Sequence, residues 1–375
     1  MRLCSVLYPM RWSDIPVPAV GNDATTRYAG LTRTRALIVL ACTAAFLTWS
    51  VAAIHGRKLE VTSSNPEYTD LGMYHRVVER LRSGESYYAA LGAELRQGHY
   101  ASRSVFNWRT PAHLTIIGLL SEPVSHVVLA ALVFTAIIMA CISTRHAGGP
   151  EGIQLLFTAL AECFLLDPSS DIHLVAEVWA GILILISVAA YSFRRWPIAV
   201  GAGVAALFFR ELALPYACIG LLFAIKRRHK PEILAWSAGL CAWTIYFLAH
   251  AQAAIAHMNP RDIALHVSWI QFAGPRFLVE TVRMSVLIVL PNWVSAICLS
   301  VALLGIGGWK TGIGPLVGAV VAAYMAAFSV VGLPVDLAWG AITNPLLAFG
   351  MAWSLPAIRD LLRAVAPKPE PIVAR

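Results

Sequence analysis

The chain has 375 residues, 58% of them hydrophobic and only 13% charged, with a formal net charge of +8 and a mean hydropathy of +0.66. Soluble globular chains carry about 25% charged residues, and half that density cannot clothe a water-facing surface of this size, which excludes a soluble enzyme, a coiled coil and a disordered scaffold together. The chain therefore reads as an all-α polytopic membrane protein. In such a chain the positive balance reports topology rather than a nucleic-acid partner.

In chain order, the first apolar run begins near Arg35 and is too long and too far from the terminus for a signal-peptide core, so an uncleaved anchor is expected. About ten membrane helices are expected: 35–54, 124–144, 151–167, 172–193, 196–209, 212–225, 232–251, 284–306, 313–332 and 337–356. They divide the chain into a cytoplasmic head 1–34, a membrane domain 35–356 and a cytoplasmic tail 357–375. Lys and Arg gather in the head, at Arg145, at Arg194 and Arg195, along 226–230, at Lys310 and in the tail, whereas the turns 167–171 and 332–336 have none. Only a cytoplasmic amino terminus satisfies the positive-inside rule with that distribution.

The outer loop 55–110 is the least apolar part of the chain. Leu71, Tyr74, Val77, Val78 and Leu81 recur there at helical spacing; Thr69 or Asp70 can cap that helix and Gly84 can end it. A weaker pattern runs from Tyr87 to Arg96, and both read as amphipathic helices in the interface plane. The segments 196–209 and 212–225 are about 14 residues each, short for a crossing, and suit a half-depth hairpin whose tip, Arg210 and Glu211, stays wet; one broken helix is the alternative. Gly314 and Gly318 have the small-xxx-small spacing of a helix-packing site.

Ionisable groups at membrane depth or its edge are costly, so each is a candidate for function. Asp70 is either a helix cap or a general base. Arg109, where the outer loop returns to the membrane, is either an interface anchor or a phosphate-binding fork aimed by Pro111. Arg210 and Glu211 can satisfy each other, while Glu177, a turn inside its span, cannot stay charged without a partner. Glu67 lies three residues before Asp70. His250, His257 and His266 recur at spacings of seven and nine, which is no helical metal pattern, and read as solvated. The six cysteines inside apolar stretches, with Cys4 near the terminus, form no disulfide framework and no zinc site. Neither a Gly-rich phosphate loop, nor HExxH, nor GxSxG occurs, so ATP-driven pumping and zinc or serine membrane proteolysis lack their parts.

An anchor helix followed by DLGMY at 70–74, SGESYY at 83–88 and RTP at 109–111 resembles the head of the GT-C membrane glycosyltransferases. The later stretches EVWAG at 177–181 and FRELALPY at 209–216 look like those of bacterial polyprenyl-phosphate-sugar-dependent, mannosyltransferase-like members. The likeness covers roughly 35–250. GT-C enzymes often carry a paired acidic motif in the first outer loop, where this chain has Asp70 alone. The resemblance implies a polyprenyl-phosphate-sugar donor, a glycan or glycolipid acceptor, no cofactor, and an active face on the outer side of a bacterial cytoplasmic membrane. Asp70 would take the acceptor proton; Arg109 and Arg210 would hold the departing phosphate, with Tyr74, Glu67, Glu177 and Glu211 as further substrate-binding residues. The competing readings are a transporter or flippase for a lipid, and a non-catalytic subunit of envelope polysaccharide assembly.

Overall fold

A computed structural model describes residues 26–55, 69–148, 152–164, 170–264, 267–285, 287, 290–333 and 335–366. Glu67, His266 and the first part of the 167–171 turn lie outside the described residues. The chain is all-helical: α1 (Arg33–His55), α2 (Asp70–Arg82), α3 (Tyr87–Gln97), α4 (Ala112–Leu119), α5 (Glu122–His146), α6 (Ile153–Phe164), α7 (Ala176–Ser192), α8 (Trp196–Phe209), α9 (Leu214–Lys226), α10 (Lys230–His257), α11 (Pro275–Val282), α12 (Asn292–Gly308), α13 (Gly314–Val330) and α14 (Gly340–Val365). Among the described residues the sole β feature is one isolated bridge, Ile270 to Val331.

Four helices are long and apolar enough to cross a membrane, Arg33–Ile54, Glu122–His146, Lys230–His257 and Leu337–Val365, and they mark the chain as a membrane protein. The remaining expected spans correspond to α6, α7, α8, α9, α12 and α13, all of 17 residues or fewer. The expected span 284–306 starts too early. Pro291 precedes α12 with ψ 141°, an extended conformation that no helix continues through.

Two helices define inside and outside of the bundle. In α1 only 6% of the most apolar stretch is buried, as suits a peripheral helix facing lipid, whereas 83% is buried in the span ending with α14. The central place of α14 rests on glycine. A Cβ on Gly305 of α12 would run into the carbonyl oxygen of Gly350, and one on Gly181 of α7 into that of Ala341, so backbones touch where no side chain intervenes. Gly318, by contrast, would bring a Cβ only to ordinary contact with Ile306 at 3.6 Å. Of the 314–318 pair only Gly314 is tightly packed, with a Cβ there falling 2.6 Å from the ring of Trp309, which ends α12.

Helices α7 to α10 run back and forth between two polar clusters. At one end Tyr191 donates to Glu232 (2.7 Å), Trp236 donates to Tyr191 (3.0 Å), Arg227 pairs with Glu232, and the Trp196 ring meets His229. At the other end Glu177 meets Arg210. Helices α8, α9 and α10 each carry proline in their first turn, where a missing N–H costs nothing. A Cβ on Gly203 would lie 2.9 Å from the Tyr216 ring; in one broken helix residues thirteen apart would be about 20 Å apart. The two segments therefore form a hairpin and not one broken helix, but not a half-depth one, because it joins the same two polar clusters as α7 and α10. Its tip is not wet: Arg210 is 2% exposed, because α7 supplies a buried counter-charge.

A layer formed by α2, α3 and the loop to α4 covers the Arg210 end. The α2 cap is Thr69, whose hydroxyl accepts from Gly72 N (3.2 Å), and Gly84 (φ +92°) follows its end. Met73, Val77 and Val78 are buried in protein, so the apolar face of α2, expected against the membrane surface, is covered by the layer itself; Leu81 sits against Gly118 of α4. Glu94, 1% exposed, accepts from Arg76 (2.6 Å) and Arg80 (2.7 Å) and joins α3 to α2. Trp108 packs on Gly92 and donates to Ser102 O (2.8 Å). His250 is not solvated: it is 2% exposed, stacks on Tyr88 and shares a 3.0 Å hydrogen bond with its hydroxyl.

Candidate functional site

Where this layer meets the first turn of α7 and the tip of the α8–α9 hairpin, a cleft is lined by Tyr74, Arg109, Thr110, His113, Glu177, Arg210 and Glu211, with Leu114, Leu174, Ala176 and Phe209 as its apolar wall. Five residues singled out in the sequence thus converge, although they come from α2, the loop before α4, α7 and the hairpin tip. Asp262 and Glu280 lie elsewhere, paired with Arg96 and Arg283.

Each arginine is presented by a break in regular structure. Arg210 has extended dihedrals (φ −151°, ψ 120°) between α8 and the 3-10 turn Glu211–Ala213, and Tyr324 of α13 donates to Leu212 O (2.8 Å) to hold that turn. Arg109 follows the 3-10 turn Val105–Asn107. Its carbonyl accepts from Tyr87 (2.6 Å), and Ala112 N donates to Tyr246 (2.9 Å), fixing the loop on both sides.

The two guanidinium groups differ in what they are free to do. Arg210 donates Nε to Glu177 Oε1 (2.8 Å) and Nη1 to Glu211 Oε1, so its charge is matched twice within the protein. Arg109 is half-buried and donates Nε to the Tyr74 hydroxyl (3.1 Å); among the described residues no carboxylate forms an ion pair with it. Its Nη groups remain for a ligand in the planar arrangement that suits a phosphate or carboxylate. Burial pushes the Tyr74 hydroxyl above the ordinary tyrosine value, so it acts as a neutral group. Having accepted from Arg109, it still has its own proton to donate.

The remaining polar groups are less evident from the sequence. His113 lies 3.2 Å through Nε2 from His173 O, a carbonyl that also accepts from Trp179 Nε1 (2.8 Å). A carbonyl can only accept, so Nε2 of His113 carries the proton. Asp336, in the turn before α14, accepts from Leu333 N (2.8 Å) and lies within electrostatic reach of Arg109, Arg210 and Glu177. Burial raises its carboxyl to about 6, against the lowering pull of the Leu333 amide and the two arginines. The signal that could have found Asp336 is a lone acid in a turn free of Lys and Arg between two apolar runs.

Asp70 stands apart. It is exposed in the first turn of α2, Thr69 rather than Asp70 makes the cap, and its carboxylate accepts from Tyr100. It is not among the residues lining the cleft. Burial and that carboxylate hold the Tyr100 hydroxyl above the usual tyrosine range. Among the described residues no group of three or more His, Cys, Asp or Glu side chains is arranged to hold a metal ion.

No protein-family model, no curated protein and no solved structure matches the chain.

Proposed function

We propose that this protein is an integral membrane glycosyltransferase that moves a sugar from a polyprenyl-phosphate donor to a lipid-linked or envelope glycan acceptor, with inversion at the anomeric carbon. The observation that carries the reading is the half-buried Arg109, held by Tyr74 and Tyr87 at the cleft and free of any carboxylate partner among the described residues. A fork held in place before the ligand arrives recognises a phosphate with little ordering cost. It also stabilises charge that grows on the phosphate as the sugar leaves. Arg210, already matched by Glu177 and Glu211, holds those two carboxylates and leaves the phosphate to Arg109.

On this reading ten helices cross the membrane, both termini are cytoplasmic, and the cleft opens on the outer face of a bacterial cytoplasmic membrane. The resemblance puts the base at Asp70, which stands outside the cleft.

The test is transfer by purified protein in proteoliposomes, with polyprenyl-phosphate mannose as the probe donor and membrane extract from a strain lacking the protein as the acceptor source. Mannose appearing in a new glycolipid, with release of polyprenyl phosphate, supports the reading. Movement of the donor across the bilayer with no transfer would favour a flippase instead.

A further inference from the structure

Three carboxylates stand in or beside the cleft, and they are not equivalent. Glu177 is occupied by Arg210 Nε through Oε1 and also bonds a backbone amide at its own position. Asp336 gives Oδ2 to the Leu333 amide. Glu211 gives Oε1 to Arg210, while its Oε2 is buried and has no hydrogen-bond partner. An orphaned buried acceptor costs about 1–3 kcal/mol, and native proteins keep few of them without a reason. This one belongs to a residue that lines the cleft, at the exit of an extended Arg210 whose backbone geometry presents it there.

We infer that Glu211, and not Asp70, is the general base that binds the acceptor hydroxyl through Oε2 and takes its proton. The inference rests on the proposed transferase reading and names the group that completes it. In the step, the acceptor oxygen forms its bond to the anomeric carbon as its proton passes to Glu211 Oε2. The bond from that carbon to the phosphate oxygen breaks, and the electron pair leaves with the lipid phosphate, where Arg109 receives the charge. Arg210 holds Oε1, so the carboxylate cannot turn its bonded oxygen into the cleft without losing that ion pair. Asp70 lacks this preparation, since its carboxylate is exposed and engaged by Tyr100.

The experiment compares wild type, Glu211→Gln, Glu211→Asp and Asp70→Asn in the proteoliposome assay with polyprenyl-phosphate mannose. Binding of undecaprenyl phosphate serves as the check of folding and of the donor site. Glutamine keeps a carbonyl for Arg210 while removing the basic oxygen and the negative charge. Glu211→Gln should lower kcat by about 10²–10⁴-fold and leave undecaprenyl phosphate binding within threefold (about 0.65 kcal/mol). Glu211→Asp should retain more activity than the glutamine variant. A Glu211→Gln protein with more than a tenth of wild-type kcat overturns the inference, and collapse of Asp70→Asn beside such an active glutamine variant would return the base to Asp70. The two readings fail differently: a wild-type protein that transfers nothing from the probe overturns both, whereas a transferring wild type with an equally active Glu211→Gln overturns this inference alone.

Discussion

Replacing Glu177 by methionine leaves a guanidinium that is 2% exposed with only one of its two carboxylate partners. At a charge separation of about 4 Å and an effective dielectric constant near 20, each pair is worth about 4 kcal/mol of attraction. Removing one partner of a buried pair typically costs 3–5 kcal/mol, because the survivor is left desolvated. Glu211 remains beside Arg210, so Glu177→Met should cost about 3 kcal/mol. Arg210→Met should cost at least as much, since it leaves Glu177 and Glu211 near each other without the cation between them. The double variant removes one charge of each sign and should recover at least about 2 kcal/mol relative to the sum of the singles, a coupling far above the ~0.5 kcal/mol of independent sites. The assay is reversible unfolding in mixed micelles over the four proteins of the cycle. Additivity within ~0.5 kcal/mol, or single losses below ~1 kcal/mol, would refute the picture of a buried pair fastening α7 to the hairpin tip.

Other outcomes follow from the same geometry. Glu94→Ala should loosen the outer layer by roughly 1–3 kcal/mol, less than a fully buried pair because Arg76 and Arg80 are about a third exposed and can rehydrate; faster limited proteolysis between α2 and α3 is the readout. Asp336 titrates near 6 in the folded protein against 3.8 as its ordinary value. The unfolded chain ionises first, so folded stability falls as pH rises from about 4 to 6 and stays lower above that. Asp336→Asn keeps a carbonyl acceptor for Leu333 and should raise stability at pH 7 by up to about 3 kcal/mol, with no difference at pH 3.5; an equal gain at both values would contradict the assignment. In a background with the native cysteines replaced, Gln97→Cys at the exposed end of α3 should react with an impermeant thiol reagent in intact cells, and labelling only after lysis would invert the topology.

Helix positions were legible because hydrophobic runs and proline punctuation are local signals. The expected 196–209 coincides with α8, and the caps at Thr69 and Gly84 were readable from three or four neighbouring residues. Arg109, Glu177, Arg210 and Glu211, read as costly charges at the same end of successive spans, do meet in one cleft, whereas Asp70, expected with them, stands outside it. Burial of the hairpin tip was not legible. Whether Arg210 faces water depends on Glu177, 33 residues earlier, arriving at 2.8 Å, and spacing along the chain says nothing about that. Asp336 escaped for the same reason, since a single acid in a turn looks solvated until the turn folds back toward two arginines. The burial of Glu94 and His250 depends on how α3 packs against α2 and α10, which no local pattern encodes.

On the proposed reading Arg109 recognises a lipid phosphate by shape as well as charge. The most direct measurement is undecaprenyl phosphate affinity, together with mannose transfer from the polyprenyl-phosphate probe, for wild type, Arg109→Lys and Arg109→Ala. Lysine keeps the charge but cannot present two parallel donors, a loss of about 1.5–3 kcal/mol for a charged hydrogen bond, or roughly 10–150-fold in affinity. Arg109→Lys should therefore fail nearly as badly as Arg109→Ala in both assays. A lysine variant that binds and transfers like wild type would make Arg109 an interface anchor that snorkels to the headgroups, and would contradict the central claim.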